Sequence, residues 1–236
     1  MIINKCFKLI LLFSLSLFYS LSLASEDILV TVLWFDELEA SRAQIQTRYL
    51  ITPQYLRIDN GDLHDDFILF DVTKKIIFSV NHEDKTILLI KSDNWKKPDY
   101  EFVADISHET LEGAPAILGK QVKGYKVKVN GEVCTNIQYI PDIYKKEMDV
   151  LKHYQQTLSS QQIRSLSHTP EHMKTPCFML DVAYNDGGYY DLGLPIQEWH
   201  NRGYARYLKD YKQEKIAASI FKLPKAYKQY SIGISQ

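Results

Sequence analysis

The chain has 236 residues, a formal net charge of −1 and 16 tyrosines. That balance excludes a nucleic-acid footprint, which needs a strongly basic face. The lysines between Lys209 and Lys228 alternate with acids and tyrosines, as on solvated strand faces. The length allows one large domain or two small ones.

Lys5 and Lys8 precede an uncharged apolar stretch, Leu9 to Leu23, and Ser22 and Ala24 place small residues just before Ser25. This pattern predicts a secretory signal cleaved after Ala24. Its apolar core of about 15 residues falls short of the roughly 20 that span a bilayer, so no stable membrane span is expected in the mature form. Cys6 lies before the apolar core and cannot serve as a lipoprotein acylation cysteine. Cleavage of 24 of the 236 residues would leave 212, read as a single β-rich domain, 25–236, in the periplasm.

Ile28–Phe35 is an apolar run short enough for a strand buried on both faces. Arg42–Leu50 and Gln54–Asp59 follow, the second ended by the turn pair Asn60-Gly61. Phe67–Val72, Lys75–Asn81 and Thr86–Lys91 then form a meander joined by tight polar turns. Phe67 and Leu69 fall on one of its faces and Ile68 and Phe70 on the other; both pairs are apolar, so the inward face stays open. Asp99–Ile106 reads as a strand and His108–Lys120 as a loop. Val122–Val129 and Val133–Ile140 flank Asn130-Gly131, the strongest hairpin signal in the chain. Up to this point the pattern is antiparallel.

The period changes at Pro141. Tyr144, Met148, Leu151, Tyr154 and Leu158 line one helical face, with Asp142 as N-cap. Ser159-x-x-Gln162 resembles a capping box and predicts a short second helix ending at Leu166. In the loop Ser167–Pro176, His168 and His172 stand four apart, but Pro170 between them argues against a helical metal pair. Cys177–Tyr184 reads as a strand, and Asn185-Asp186-Gly187-Gly188 as a turn. Gly193–His200 and Tyr204–Leu208 form another hairpin, and Lys215–Leu223 is the last strand. About a dozen strands and one main helix predict a mainly β, α+β fold: a curved antiparallel sheet or unclosed barrel with the helix packed on or across it.

With Cys6 removed, Cys134 and Cys177 remain, and an even pair in an exported chain predicts a disulfide. Neither sits in a CxxC motif. No GxSxG segment, phosphate loop or spaced carboxylate pair carries chemistry, and His64, His82, His108, His153 and His200 are scattered. No enzyme activity, cofactor or metal is expected.

Several segments resemble, in order, exported proteins with the periplasmic lipoprotein-carrier (LolA/LolB-like) fold. These are Gln54–Asp59, then Ile68-Leu69-Phe70-Asp71, a strand such as Lys75–Val80, and Gly124–Val129. The closing Gly193-Leu194-Pro195-Ile196 and Phe221–Tyr227 resemble the ends of uncharacterised families similar to those carriers. The resemblance implies an unclosed β-barrel around helical segments with an apolar cavity, and no ligand contacts carry over. The helix near Pro141–Leu158 and the Cys134/Cys177 pair depart from the carrier pattern. The expected function is a non-enzymatic envelope protein binding a lipid or other apolar ligand, with Phe67, Leu69, Ile77 and Leu88 as candidate cavity lining. The alternative is a solidly packed interaction or structural protein without a ligand.

Overall fold

The computed structural model describes residues 26–39, 43–91 and 103–232. The expected signal segment and the beginning of the Asp99–Ile106 strand lie outside them. The described chain builds β1 (Asp27–Leu38), β2 (Ile45–Ile51), β3 (Tyr55–Asp59), β4 (Phe67–Asp71), β5 (Ile76–Asn81) and β6 (Thr86–Lys91). It continues with β7 (Ala104–Thr110), β8 (Lys123–Val129), β9 (Glu132–Pro141), α1 (Lys145–Ser165), α2 (Pro176–Val182), β10 (Gly193–His200), β11 (Tyr204–Ala217) and β12 (Lys228–Ile232). The expected meander is β4–β5–β6, in antiparallel register. Asn130 (φ 53) and Gly131 (φ 82) both take the left-handed conformation of a two-residue hairpin turn.

All twelve strands join one unclosed sheet, ordered β12-β6-β5-β4-β3-β2-β1-β11-β10-β9-β8-β7. Its middle is the long antiparallel pairing of β1 with β11, where Asp27 meets Ala217 and Leu38 meets Ala205. One strand breaks the antiparallel pattern: β12 runs parallel to β6, so the sheet is mixed.

Around β1 to β6 both faces of the sheet carry a buried cluster, which accounts for strands that are apolar in both registers. On one face α1 covers Leu33, Phe35, Ile51, Leu56, Phe70 and Ile77 with its fully buried Met148 and Leu151. Thr31 Oγ1 donates a 2.8 Å hydrogen bond to Glu147 and ties the start of the helix to β1. On the other face Val32, Leu50, Phe67, Leu69, Phe78 and Ile87 pack with Phe221 of a 3-10 turn, Ala218–Phe221. Each such side chain contributes about 1.5–3 kcal/mol when fully buried. Buried Arg57 and half-buried Arg48 fasten this outer layer. Arg57 and Arg48 both bond Asp59, at 2.6 and 2.8 Å, and Arg57 Nη1 also donates to the Ile220 carbonyl at 2.9 Å.

A third cluster surrounds the disulfide Cys134–Cys177, which joins β9 to α2 over a separation of 43 residues. Here the expected strand Cys177–Tyr184 is a helix. Thr175 caps it by accepting from Phe178 N–H, and Pro176 occupies its first turn. Cys177, Leu180, Ala183 and Tyr184 all turn inward, a helical spacing.

Other boundaries moved as well. α1 runs unbroken through Ser159, where a second helix was expected, because Ser159 Oγ donates to the Asn185 carbonyl and Ser160 Oγ to the Thr157 carbonyl, rather than capping a new turn. The N-cap is Tyr144 in left-handed conformation, while Asp142 instead pairs with Lys145 at 2.8 Å. β7 extends to Thr110, into the expected loop. The last expected strand, Lys215–Leu223, divides: β11 ends at Ala217 and the 3-10 turn takes over.

Candidate functional site

Strands β10 and β11 are paired with Glu198 opposite Arg206 and His200 opposite Tyr204. All four residues line one cavity beside the C-terminal half of α1. That half contributes Tyr154, Leu158 and Gln162, β2 contributes Tyr49, and α2 contributes Asp181. A 3-10 turn, Gly188–Leu192, delivers Tyr189 and Tyr190. Glycines make that delivery possible. Gly187 (φ 67) lies so close to α1 that an added Cβ would stand 3.1 Å from Lys152 Cα, and at Gly193 (φ 144) it would stand 2.0 Å from the Ile140 carbonyl oxygen. The cavity volume is about 710 Å³.

Its floor is a buried ion pair ringed by phenols. Arg206 bonds Glu198 through Nη2, with side-chain exposures of 5% and 3%. The same Nη2 donates to the Tyr190 hydroxyl at 2.8 Å, and Nη1 donates to the Tyr49 hydroxyl at 3.1 Å. The Tyr189 hydroxyl donates to Glu198 Oε2 at 3.4 Å. The guanidinium lies 4.6 Å from the Phe35 ring centre and 5.6 Å from that of Tyr49, a cation–π arrangement. Arg206 Nε and Gln162 Oε1 are buried without a hydrogen-bond partner. Burial disfavours the Arg206 charge, but Glu198 and the phenols outweigh it and hold the guanidinium above its ordinary value. Burial likewise pushes the hydroxyls of Tyr49, Tyr154, Tyr189, Tyr190 and Tyr204 above the usual phenol range, against the pull of Arg206. They are therefore neutral groups, each able to donate and to accept.

At one side of the cavity His200 Nδ1 meets Asp181 Oδ1 at 3.0 Å. Thr135 Oγ1 is 3.5 Å from each of them, at the outer limit of a hydrogen bond. The contact fastens α2 to β10 beside the disulfide. The arrangement as a whole can hold a ligand by ring faces and by hydrogen bonds of both polarities.

The four candidate lining residues of the meander are separated by its register. Phe67 and Leu69 are buried on the outer face, whereas Ile77 belongs to the α1 side. Half-buried Leu88 shares the side of Ile77, since Ile90, two residues on, packs in the same cluster. Phe67 does line a second, more apolar groove of about 380 Å³, with Leu63, Ile216, Ile220 and Lys222. Arg57 lies beneath it, 3.7 Å from the Phe67 ring centre. His82, which lines the same groove, has a buried Nε2 without a partner. His168 ends one 3-10 turn, Leu166–His168, and His172 lies within another, Glu171–Met173, both outside the two cavities.

Sequence reasoning missed Glu198, Arg206, Tyr189 and Tyr190 as a unit. One signal was present: Leu194, Ile196, Glu198 and His200 alternate along β10, so its inner face turns from apolar to charged halfway along.

No family model and no curated protein matches the sequence. Two solved structures of PNGF-II, in space groups C2 and P21, are similar with a TM-score of 0.40 at 11% identity. The match covers 86% of this chain and 31% and 32% of theirs, so the chain spans about a third of their length. At that similarity neither an activity nor a ligand passes to this chain.

Proposed function

We propose that this is an exported, non-enzymatic envelope protein that holds a small ligand in the tyrosine-lined cleft beside α1. The observation that carries this reading is the buried Arg206–Glu198 pair, surrounded by phenols and opening on about 710 Å³ of space. That volume falls in the range of about 300–1,000 Å³ usual for small-molecule sites. A buried ion pair is a weak source of stability compared with apolar packing, and a ligand-binding role accounts for its retention. Export is supported by the disulfide, since such bonds persist in oxidising compartments. No helix among the described residues is long and apolar enough to cross a membrane.

The direct test is native mass spectrometry of the protein isolated from the periplasm without denaturation. A bound small molecule lost on Tyr190→Ala substitution supports the cleft. Ligand-free protein, with no small molecule binding competitively at the cleft, turns the reading to a solidly packed interaction protein.

A second reading has its own observation. The groove beside Phe67 is mostly apolar, and Lys222 at its edge could meet an anionic head group. A lipid chain there would gain about 0.8 kcal/mol for each buried methylene. Lipid that co-purifies with the wild type and is lost in Ile220→Asp, but kept in Tyr190→Ala, favours this groove over the cleft.

A further inference from the structure

We infer that the cleft takes a neutral, cyclic, polyhydroxylated ligand, a saccharide or related polyol, and not an ion. This rests on the cleft being the ligand site. The first argument is charge. Aromatic faces beside carboxylates are the usual setting for a cationic ligand, but here that position is occupied by the protein's own Arg206, over Phe35 and Tyr49. Glu198 neutralises it in turn, so an anion finds its countercharge already taken. Asp181 is engaged by His200. Glu39 and Arg202 also line the cavity but stand at its exposed rim. At the buried floor an ionic ligand would give up its hydration without an unmatched charge to receive it, which is unfavourable.

The second argument is the supply of hydrogen bonds. The hydroxyls of Tyr154 and Tyr204 face the cavity and bond to no described residue. Arg206 Nε adds an unpartnered buried donor and Gln162 Oε1 an unpartnered buried acceptor. Donors and acceptors thus stand side by side, matching hydroxyl groups that serve as both.

The third argument is shape. Tyr189 and Tyr190 lie with ring centres 4.3 Å apart and 35° between planes, and both line the cleft with Tyr154. Tyr190 is only 5% exposed and backs Tyr189, which leaves half-buried Tyr189 to offer a flat face to the C–H surface of a sugar ring. A linear polar molecule would leave that face bare.

The experiment uses the full disulfide-bonded mature chain. A panel of neutral mono- and oligosaccharides is titrated beside choline, succinate and inorganic phosphate by ligand-observed NMR and calorimetry. The expected result is binding of a neutral saccharide whose affinity changes less than about twofold between about 50 and 500 mM salt. Tyr154→Phe and Gln162→Leu, which keep side-chain shape, should each weaken it about 5–10-fold, the loss of one hydrogen bond, with near-UV circular dichroism unchanged. Tighter, salt-sensitive binding of choline, succinate or phosphate, weakened by the same substitutions, overturns the ligand class and leaves the cleft as the site. Saccharide binding that both variants leave untouched places it elsewhere and overturns the inference. Binding of no probe at all overturns the inference and the cleft reading together.

Discussion

Asp59 carries more than its size suggests, because two arginines depend on it. Its side chain is fully buried, and those of Arg57 and Arg48 are 5% and 16% exposed. Burial alone would raise its carboxyl, but hydrogen bonds from Arg48 and Arg57 outweigh that and hold it below its ordinary value. A group whose folded pKa is depressed adds stability above the unfolded value, about 3.9, and that stability is lost as pH falls through the folded one. The wild type should therefore lose stability below about pH 4, and Asp59→Asn should lose less over that window, as read by urea unfolding at a series of pH values. Asp59→Ala, which strands a buried Arg57, should cost about 3–5 kcal/mol at neutral pH. At Gly193 the constraint is backbone, not charge: its φ of 144° and the Ile140 carbonyl leave no room for a Cβ. Gly193→Ala should lower the thermal midpoint and disturb tyrosine near-UV dichroism, since this residue ends the turn that carries Tyr189 and Tyr190.

The elements divide by how much of their conformation is written locally. β4 to β6 and the β8–β9 hairpin were legible because short β-branched and aromatic runs alternate with turn residues that fix their own backbone. The face of α1 was legible from its spacing. α2 was not: the run Cys177–Tyr184 is apolar at positions that satisfy both a strand and a helix, and the deciding features are the Thr175 cap and the bond to Cys134. β12 was missed because Lys228, Gln229, Tyr230 and Ser231 all carry polar groups and are exposed, and the strand pairs with β6 through its backbone. The candidate cleft was harder still, as it joins Tyr49 to Arg206 across 157 residues, a proximity that no local pattern encodes. The disulfide holds one wall of that cleft by anchoring the helix that bears Asp181. Replacing Cys134 and Cys177 by serine should cost about 4 kcal/mol in the chain-entropy account, measured by denaturant unfolding under oxidising conditions. Equal stability of variant and wild type there would count against a structural role. Thr175→Ala should cost about 1 kcal/mol by loss of the cap.

At the scale of the molecule, two sequential meanders lie edge to edge. β1 to β6 are paired in chain order, as are β7 to β11, and only β1 with β11 joins the two sets. β12 then returns across the sheet to cover β6. A chain truncated before Lys228 should keep its far-UV circular dichroism but leave the β6 edge uncovered, and an uncovered apolar edge invites self-pairing. Light scattering should detect association in the truncated chain and none in the full one.

That central seam also sets an order of events during synthesis. A ribosome works from the N-terminus, so β1 emerges well before its partner β11. Until β11 follows, one flank of β1, with its fully buried Leu33 and Val30, has no neighbour to complete it. Such an unfinished apolar edge is what chaperones recognise and what drives premature aggregation. A nascent chain of this protein should therefore gain from shielding until β11 has emerged, because the two halves of its sheet have no seam to join them before then.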